Sequence, residues 1–145
     1  MEDVRYCASA FVINSENKVL LIYHKKFKKY IQPGGHLIDG EEPIDAAIRE
    51  VLEETHIHIN IPNKKPFSIG NYHNNVGHQI DYQFIAYAID EDIRKNDESF
   101  KAGWYSLEEL DYIDVVDDLK EKVKKVLETA RREDVWKKEL LLEKN

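Results

Sequence analysis

Glu50, Glu53 and Glu54 stand at i, i+3 and i+4, a spacing that brings three carboxylates to one patch if the segment is helical. Neighbouring like charges on a helix repel, and the C-terminal end of a helix disfavours anions. A cation that neutralises them accounts for such a cluster. Hard oxygen ligands on a short rigid face suit Mg²⁺, with Mn²⁺ as the alternative, completed by waters and substrate phosphates. The competing reading is a solvated acidic helix face, common in a chain with 34% charged residues.

The surroundings favour the cation. Gly35, five residues, Glu41, seven residues and then Arg49-Glu50-Val51-Leu52-Glu53-Glu54 resembles the signature box of the Nudix hydrolases. Thr55, His56 and Ile57 continue it, with His56 where the family signature has its last glycine. A glycine there usually closes the helix in the left-handed conformation, which costs a side chain roughly 1–2 kcal/mol. The substitution touches the helix exit and removes no metal ligand.

The resemblance implies a Nudix α/β/α sandwich, a mixed sheet between helices. It implies hydrolysis of a phosphoanhydride bond in a nucleoside diphosphate linked to another moiety. Glu50, Glu53 and Glu54 would hold the metal together with the carbonyl of Gly34, and Glu98 is the candidate for an additional ligand or proton acceptor. Glu53 or Glu50 would take the proton of the attacking water. Arg49 would orient the glutamates and shield their repulsion, Gly35 permits close backbone approach, and Glu41 closes the loop. His36 follows the glycines, where a basic residue commonly faces the phosphates. Two other readings share the fold: a nucleotide-binding or sensor module without turnover, and an isopentenyl diphosphate isomerase. Retention of all three glutamates speaks against the first. The position of Cys7, near the chain start on a buried-looking strand, speaks against the second.

Several elements must position these residues. Pro43 opens a helix to about Thr55, with Ile44, Ala47, Ile48 and Val51 as its apolar face, away from the carboxylates. Residues 4–14 and 19–24 read as strands joined by a turn at 15–18, and VLLIYH is a continuous apolar run suited to burial on both sides. Lys25, Lys26, Lys28 and Lys29 form either a solubilising loop or a phosphate-attracting one. After a short strand at 58–61, residues 67–72 and 78–89 form a hairpin with His73 and His78 in its turn. In its second strand Asp81, Gln83, Ile85 and Tyr87 share one face. Tyr30, Tyr72 and Tyr82 are candidates for stacking on a base, and Trp104 reads as a core anchor ahead of a short helix. Val116, Leu119, Val123, Val126, Leu127 and Ala130 follow helical spacing, and the pattern extends to about 143 through Trp136, Leu140 and Leu141.

With 145 residues, the chain reads as one domain. A net charge of −7 argues against a surface built for long nucleic acids but leaves a small phosphorylated substrate open. The single cysteine excludes an intrachain disulfide. Neither a signal peptide nor a membrane span is visible, so the expected location is cytoplasmic. A homodimer is compatible with the apolar end of the last helix.

Overall fold

The computed structural model describes residues 3–75, 77–94 and 101–133. Its elements are β1 (Val4–Ile13), β2 (Val19–His24), β3 (Lys29–Ile31), β4 (Gly34–His36), α1 (Pro43–Thr55), β5 (Ile59–Asn60), β6 (Ser68–Asn74), β7 (Gly77–Ala88), β8 (Ala102–Tyr105), a 3₁₀ turn at Glu108–Asp111 and α2 (Leu119–Glu133). The strands form one mixed sheet. Its two faces are covered by α1 and α2, giving the α/β/α sandwich.

β1 is the spine. Its even residues Ala8, Ala10 and Val12 pack against Ala46, Ala47 and Val51 of α1. The odd residues Phe11 and Ile13 pack against Leu119, Val123 and Val126 of α2. Alternating side chains serve two cores, which is why the strand reads as nearly continuous apolar sequence. Alanines on one side let α1 lie close. Val51 is fully buried, a burial that contributes roughly 1.5–3 kcal/mol.

Along one edge β1 pairs in parallel with β7, from Val4↔His78 to Ile13↔Tyr87. The other edge is shared end to end by β2, through Ile13↔Val19, and by β4, through Cys7↔His36, Ala8↔Gly35 and Ser9↔Gly34. The parallel pairing requires a crossover, and the segment containing α1 supplies it.

Three local expectations change. The 67–89 hairpin is tighter: β6 runs to Asn74 and β7 begins at Gly77, so His73 and His78 are paired strand residues with rings stacked 3.9 Å apart. Gly77, at φ 112°, accommodates the turn without them. The last helix begins at Leu119 and not at Val116. There the Val116 N–H donates to the Tyr30 carbonyl at 3.1 Å, and Asp118 has φ 67°, which a right-handed helix excludes. The expected strand at 58–61 is only Ile59–Asn60. The expected continuation through Trp136, Leu140 and Leu141 lies outside the described residues.

Candidate active site

α1 begins without a side-chain cap, with Pro43 in its first turn. It ends at His56, which takes the left-handed conformation (φ 63°, ψ 17°) and donates its N–H to the Leu52 carbonyl. His56 thus does the work expected of the missing glycine.

The ladder between β1 and β4 decides where the metal-side groups point. The Ala10 N–H donates to the Pro33 carbonyl and the Leu37 N–H to the Tyr6 carbonyl. Positions 33, 35 and 37 therefore turn their peptide groups toward β1. In an antiparallel ladder the alternate positions turn theirs outward. Outward lie Gly34 and His36. The Gly34 N–H donates to Glu54 Oε1 at 3.0 Å, and the His36 carbonyl accepts from Arg49 Nη2 at 3.1 Å. The Gly34 carbonyl belongs to the same outward edge.

Glycine is required twice here, for different reasons. A Cβ on Gly34 would lie 2.4 Å from the Ala8 carbonyl oxygen and 2.5 Å from Ser9 Cβ. One on Gly35 would lie 2.4 Å from Glu50 Cδ and 2.6 Å from both its carboxylate oxygens. The acidic patch is therefore seated between helix and strand, with Glu50 and Glu54 half-buried, which goes against the competing reading of a solvated acidic face. Glu53 stays exposed.

Arg49 braces the patch. Nε and Nη2 hold both oxygens of Glu41 at 2.9 and 3.0 Å, while Nη1 reaches Glu50 at 2.9 Å and Glu53 at 3.3 Å. Glu41 in turn accepts from the Ile38 N–H at 3.1 Å, closing the loop before α1. The Arg49 hydrogen bonds hold the Glu41 carboxyl below the usual carboxylate range. Glu54 moves the other way. Burial, then the charge of Glu50, raise its pKa to about 8, against the opposing Gly34 hydrogen bond.

With Arg49 drawing Glu50 and Glu53, and Gly34 drawing Glu54, no three carboxylate, histidine or cysteine groups converge on one point among the described residues. The donor set nevertheless fits a divalent cation. It is all oxygen, it adjoins an outward carbonyl, and its inner carboxylate is destabilised by burial and like charge, both of which a cation relieves.

The other candidates are scattered. The His36 side chain is exposed at the end of β4. Tyr30 packs edge-on between Tyr23 and Tyr105, and Tyr82 stacks on Tyr6 at 6.5 Å. Tyr72 lies on the α2 side of the sheet, where its hydroxyl accepts from Gln83 and Lys122. Trp104 packs against the α1-side core and donates to the Glu91 carbonyl. Glu98 lies outside the described residues. Among the described residues no group able to hold a metal includes His73 or His78, and Asp81 bonds to Ser9 and Gln83.

Sequence reasoning missed a polar group on the α2 side: buried Ser9, Gln32 and Gln83 with half-buried Asp81, linked to Lys122. The signal was present. Asp81 and Gln83 share the strand face of Ile85 and Tyr87, which pack into or against the core.

Two curated relatives match over about a third of the chain. A Bacillus subtilis (strain 168) protein named "Putative 8-oxo-dGTP diphosphatase" is 42% identical over 52 residues, 34% of this chain and 35% of that protein. A Lactococcus lactis subsp. cremoris (strain MG1363) protein named "Probable DHNTP pyrophosphohydrolase" is 43% identical over 53 residues, 37% of this chain and 31% of that protein. The chain thus spans about a third of the length of these relatives. Among solved structures, a NUDIX-family hydrolase from Clostridium perfringens superposes with TM-score 0.78 at 23% identity, covering 86% of this chain and 97% of that one. A C. elegans Ap4A hydrolase gives TM-score 0.70 at 20% identity, covering 83% and 93%. These structures share the fold. The sandwich and the braced glutamates agree with a family model of the NUDIX domain that spans residues 4–130, and the chain belongs to that family.

Proposed function

We propose that the protein hydrolyses a phosphoanhydride bond in a small nucleotide-like substrate, a nucleoside diphosphate joined to a further moiety. The observation that carries this reading is the seating of Glu50 and Glu54 against Gly34–Gly35, with Arg49 bridging Glu41, Glu50 and Glu53. Glu50, Glu53, Glu54 and the Gly34 carbonyl would hold a divalent cation, Mg²⁺ or Mn²⁺. When bound, that ion supplies charge neutralisation at the phosphates and a more acidic water.

The chain's own residues do the rest. Arg49 fixes the rotamers of the glutamates, so their geometry is set before substrate arrives. Glu41 anchors Arg49. Glu53 is held by Arg49 at 3.3 Å against 2.9 Å for Glu50, and is the more exposed of the two, so it is better placed to accept a proton from an attacking water. Exposed His36, at the end of β4, would meet the substrate phosphates.

The test is a released-phosphate screen with Mg²⁺ or Mn²⁺. It covers oxidised or noncanonical nucleoside triphosphates, nucleotide sugars, ADP-ribose and dinucleoside polyphosphates, with products read by mass spectrometry. Glu53→Gln and Glu54→Gln should each lower turnover of the accepted class by about a hundredfold or more while the fold is retained. Near-normal turnover by either variant at saturating metal would refute the site. No turnover by the native protein, with a ligand still raising its melting temperature, would identify a binding module.

A further inference from the structure

The α2-side face of the sheet carries hydrogen-bonding groups where the neighbouring rungs carry core residues. Ser9 and Gln83 are register partners on β1 and β7, and Asp81 lies two residues before Gln83. Gln83 is wholly buried, and Ser9 and Gln32 nearly so. The direction of each bond can be assigned. Gln32 Nε2 donates to Ser9 Oγ at 3.2 Å, so Ser9 hands its own proton to Asp81 Oδ2 at 2.9 Å. Gln83 Nε2 donates to the same Oδ2 at 3.1 Å, while Lys122 Nζ donates to Gln83 Oε1 at 3.1 Å. Every neighbour that bonds Asp81 therefore treats it as an acceptor, and every bond goes to one oxygen.

The other oxygen differs. Asp81 Oδ1 is enclosed and has no hydrogen-bond partner among the described residues. A buried acceptor left unpaired costs about 1–3 kcal/mol, and native proteins retain few of them. The group also adjoins the active site. Ser9 is the register partner of Gly34, whose N–H holds Glu54, and Gln32 lies two residues before Gly34. From β7 to β4 is two strand spacings, about 10 Å. Outward, the row ends at Tyr72 and Lys122, which touch each other at 3.0 Å and both reach solvent. A planar ring reaching Asp81 from solvent would displace that contact.

The geometry points to Asp81 as a specificity-determining residue, its Oδ1 accepting a hydrogen bond from a ring N–H of the substrate's base. The class selected is guanine-type heterocycles, which present a ring N–H beside an exocyclic amino group, over adenine-type ones, whose matching ring nitrogen only accepts. This rests on the nucleotide-like substrate of the preceding section but not on turnover. A site built to bond a donor discriminates strongly against the analogue lacking it, because its own buried group is then left unpaired.

The experiment measures binding of GMP, 1-methyl-GMP and AMP to the full chain by calorimetry, with turnover of GTP and ATP measured in parallel. GMP should bind at least tenfold more tightly than AMP, and 1-methyl-GMP should fall to the AMP level, a comparison that needs no variant. In Asp81→Asn the GMP preference should shrink below threefold while AMP affinity stays within threefold of native. Equal affinity of native protein for GMP and AMP, undiminished binding of 1-methyl-GMP, or no binding of any of the three would overturn the assignment. So would an Asp81→Asn variant that weakens all three equally, the signature of a merely structural role. Preference without turnover would leave Asp81 assigned and sink only the hydrolase reading.

Discussion

Two adjacent glycines should fail in opposite ways when given a methyl group. In Gly35→Ala the three atoms nearest the new Cβ all belong to the Glu50 carboxylate, at 2.4–2.6 Å, the far end of a flexible side chain. Glu50 can swing away, losing its 2.9 Å pair with Arg49, whose side chains are 17% and 24% exposed. That pair is worth about 1 kcal/mol at such exposure. Gly→Ala at an ordinary φ returns about 0.4–1 kcal/mol by restricting the unfolded chain. The two nearly cancel, so the melting temperature should move by no more than about 4 °C. A carboxylate displaced by about 1 Å or more should still lower turnover roughly a hundredfold and weaken Mn²⁺ binding. In Gly34→Ala the Cβ meets β1 itself, 2.4 Å from the Ala8 carbonyl and 2.7 Å from Ser9 Cα. Backbone cannot rotate away, so β4 must lift from β1 at a cost of about 2–3 kcal/mol, roughly 5–10 °C. Thermal melts, Mn²⁺ calorimetry and phosphate release on both variants separate the cases. Native-like turnover and Mn²⁺ affinity in Gly35→Ala would refute the argument, because Glu50 would then be dispensable where it is placed.

Arg49→Lys cannot reproduce the fork that spans Glu41, Glu50, Glu53 and the His36 carbonyl. It should cost roughly 1–2 kcal/mol, less than a fully buried pair, and lower kcat by about tenfold or more. Unchanged kcat would remove Arg49 from the reaction. His56→Gly relieves the left-handed helix exit and should stabilise by up to about 1 kcal/mol with activity unchanged, whereas a fall in melting temperature would show the imidazole to be structurally needed. The Glu41 carboxyl is held below its ordinary value of 4.5, so its contribution to stability is present above that pH and lost as pH falls through the lower folded value. The melting temperatures of native protein and Glu41→Gln should therefore differ most above pH 5 and converge in acid, and a constant difference across that range would contradict the pairing.

The sequence by itself determined whatever depends on spacing along the chain. Proline at the helix start, apolar residues every three or four positions and three glutamates on one turn place α1 and its carboxylates without further information. The continuous apolar run of β2 likewise announces burial on both faces, with Leu20 in one core and Val19 and Leu21 in the other. Only the tertiary structure decided what depends on partners distant in the chain. Alternation in the β1–β4 ladder turns Gly34 and His36 outward, and it takes a second strand to define that alternation. The pairing of β7 with β1 brings Asp81 and Gln83 beside Ser9, 72 residues away in the case of Asp81, and so turns polar strand residues into a buried network. The start of α2 at Leu119 is likewise set from outside the helix, because Val116 gives its N–H to Tyr30, a backbone bond that no side-chain pattern records. Local periodicity encodes which face of an element is apolar. Which backbone groups remain free to meet a ligand is fixed only when the strands have found one another.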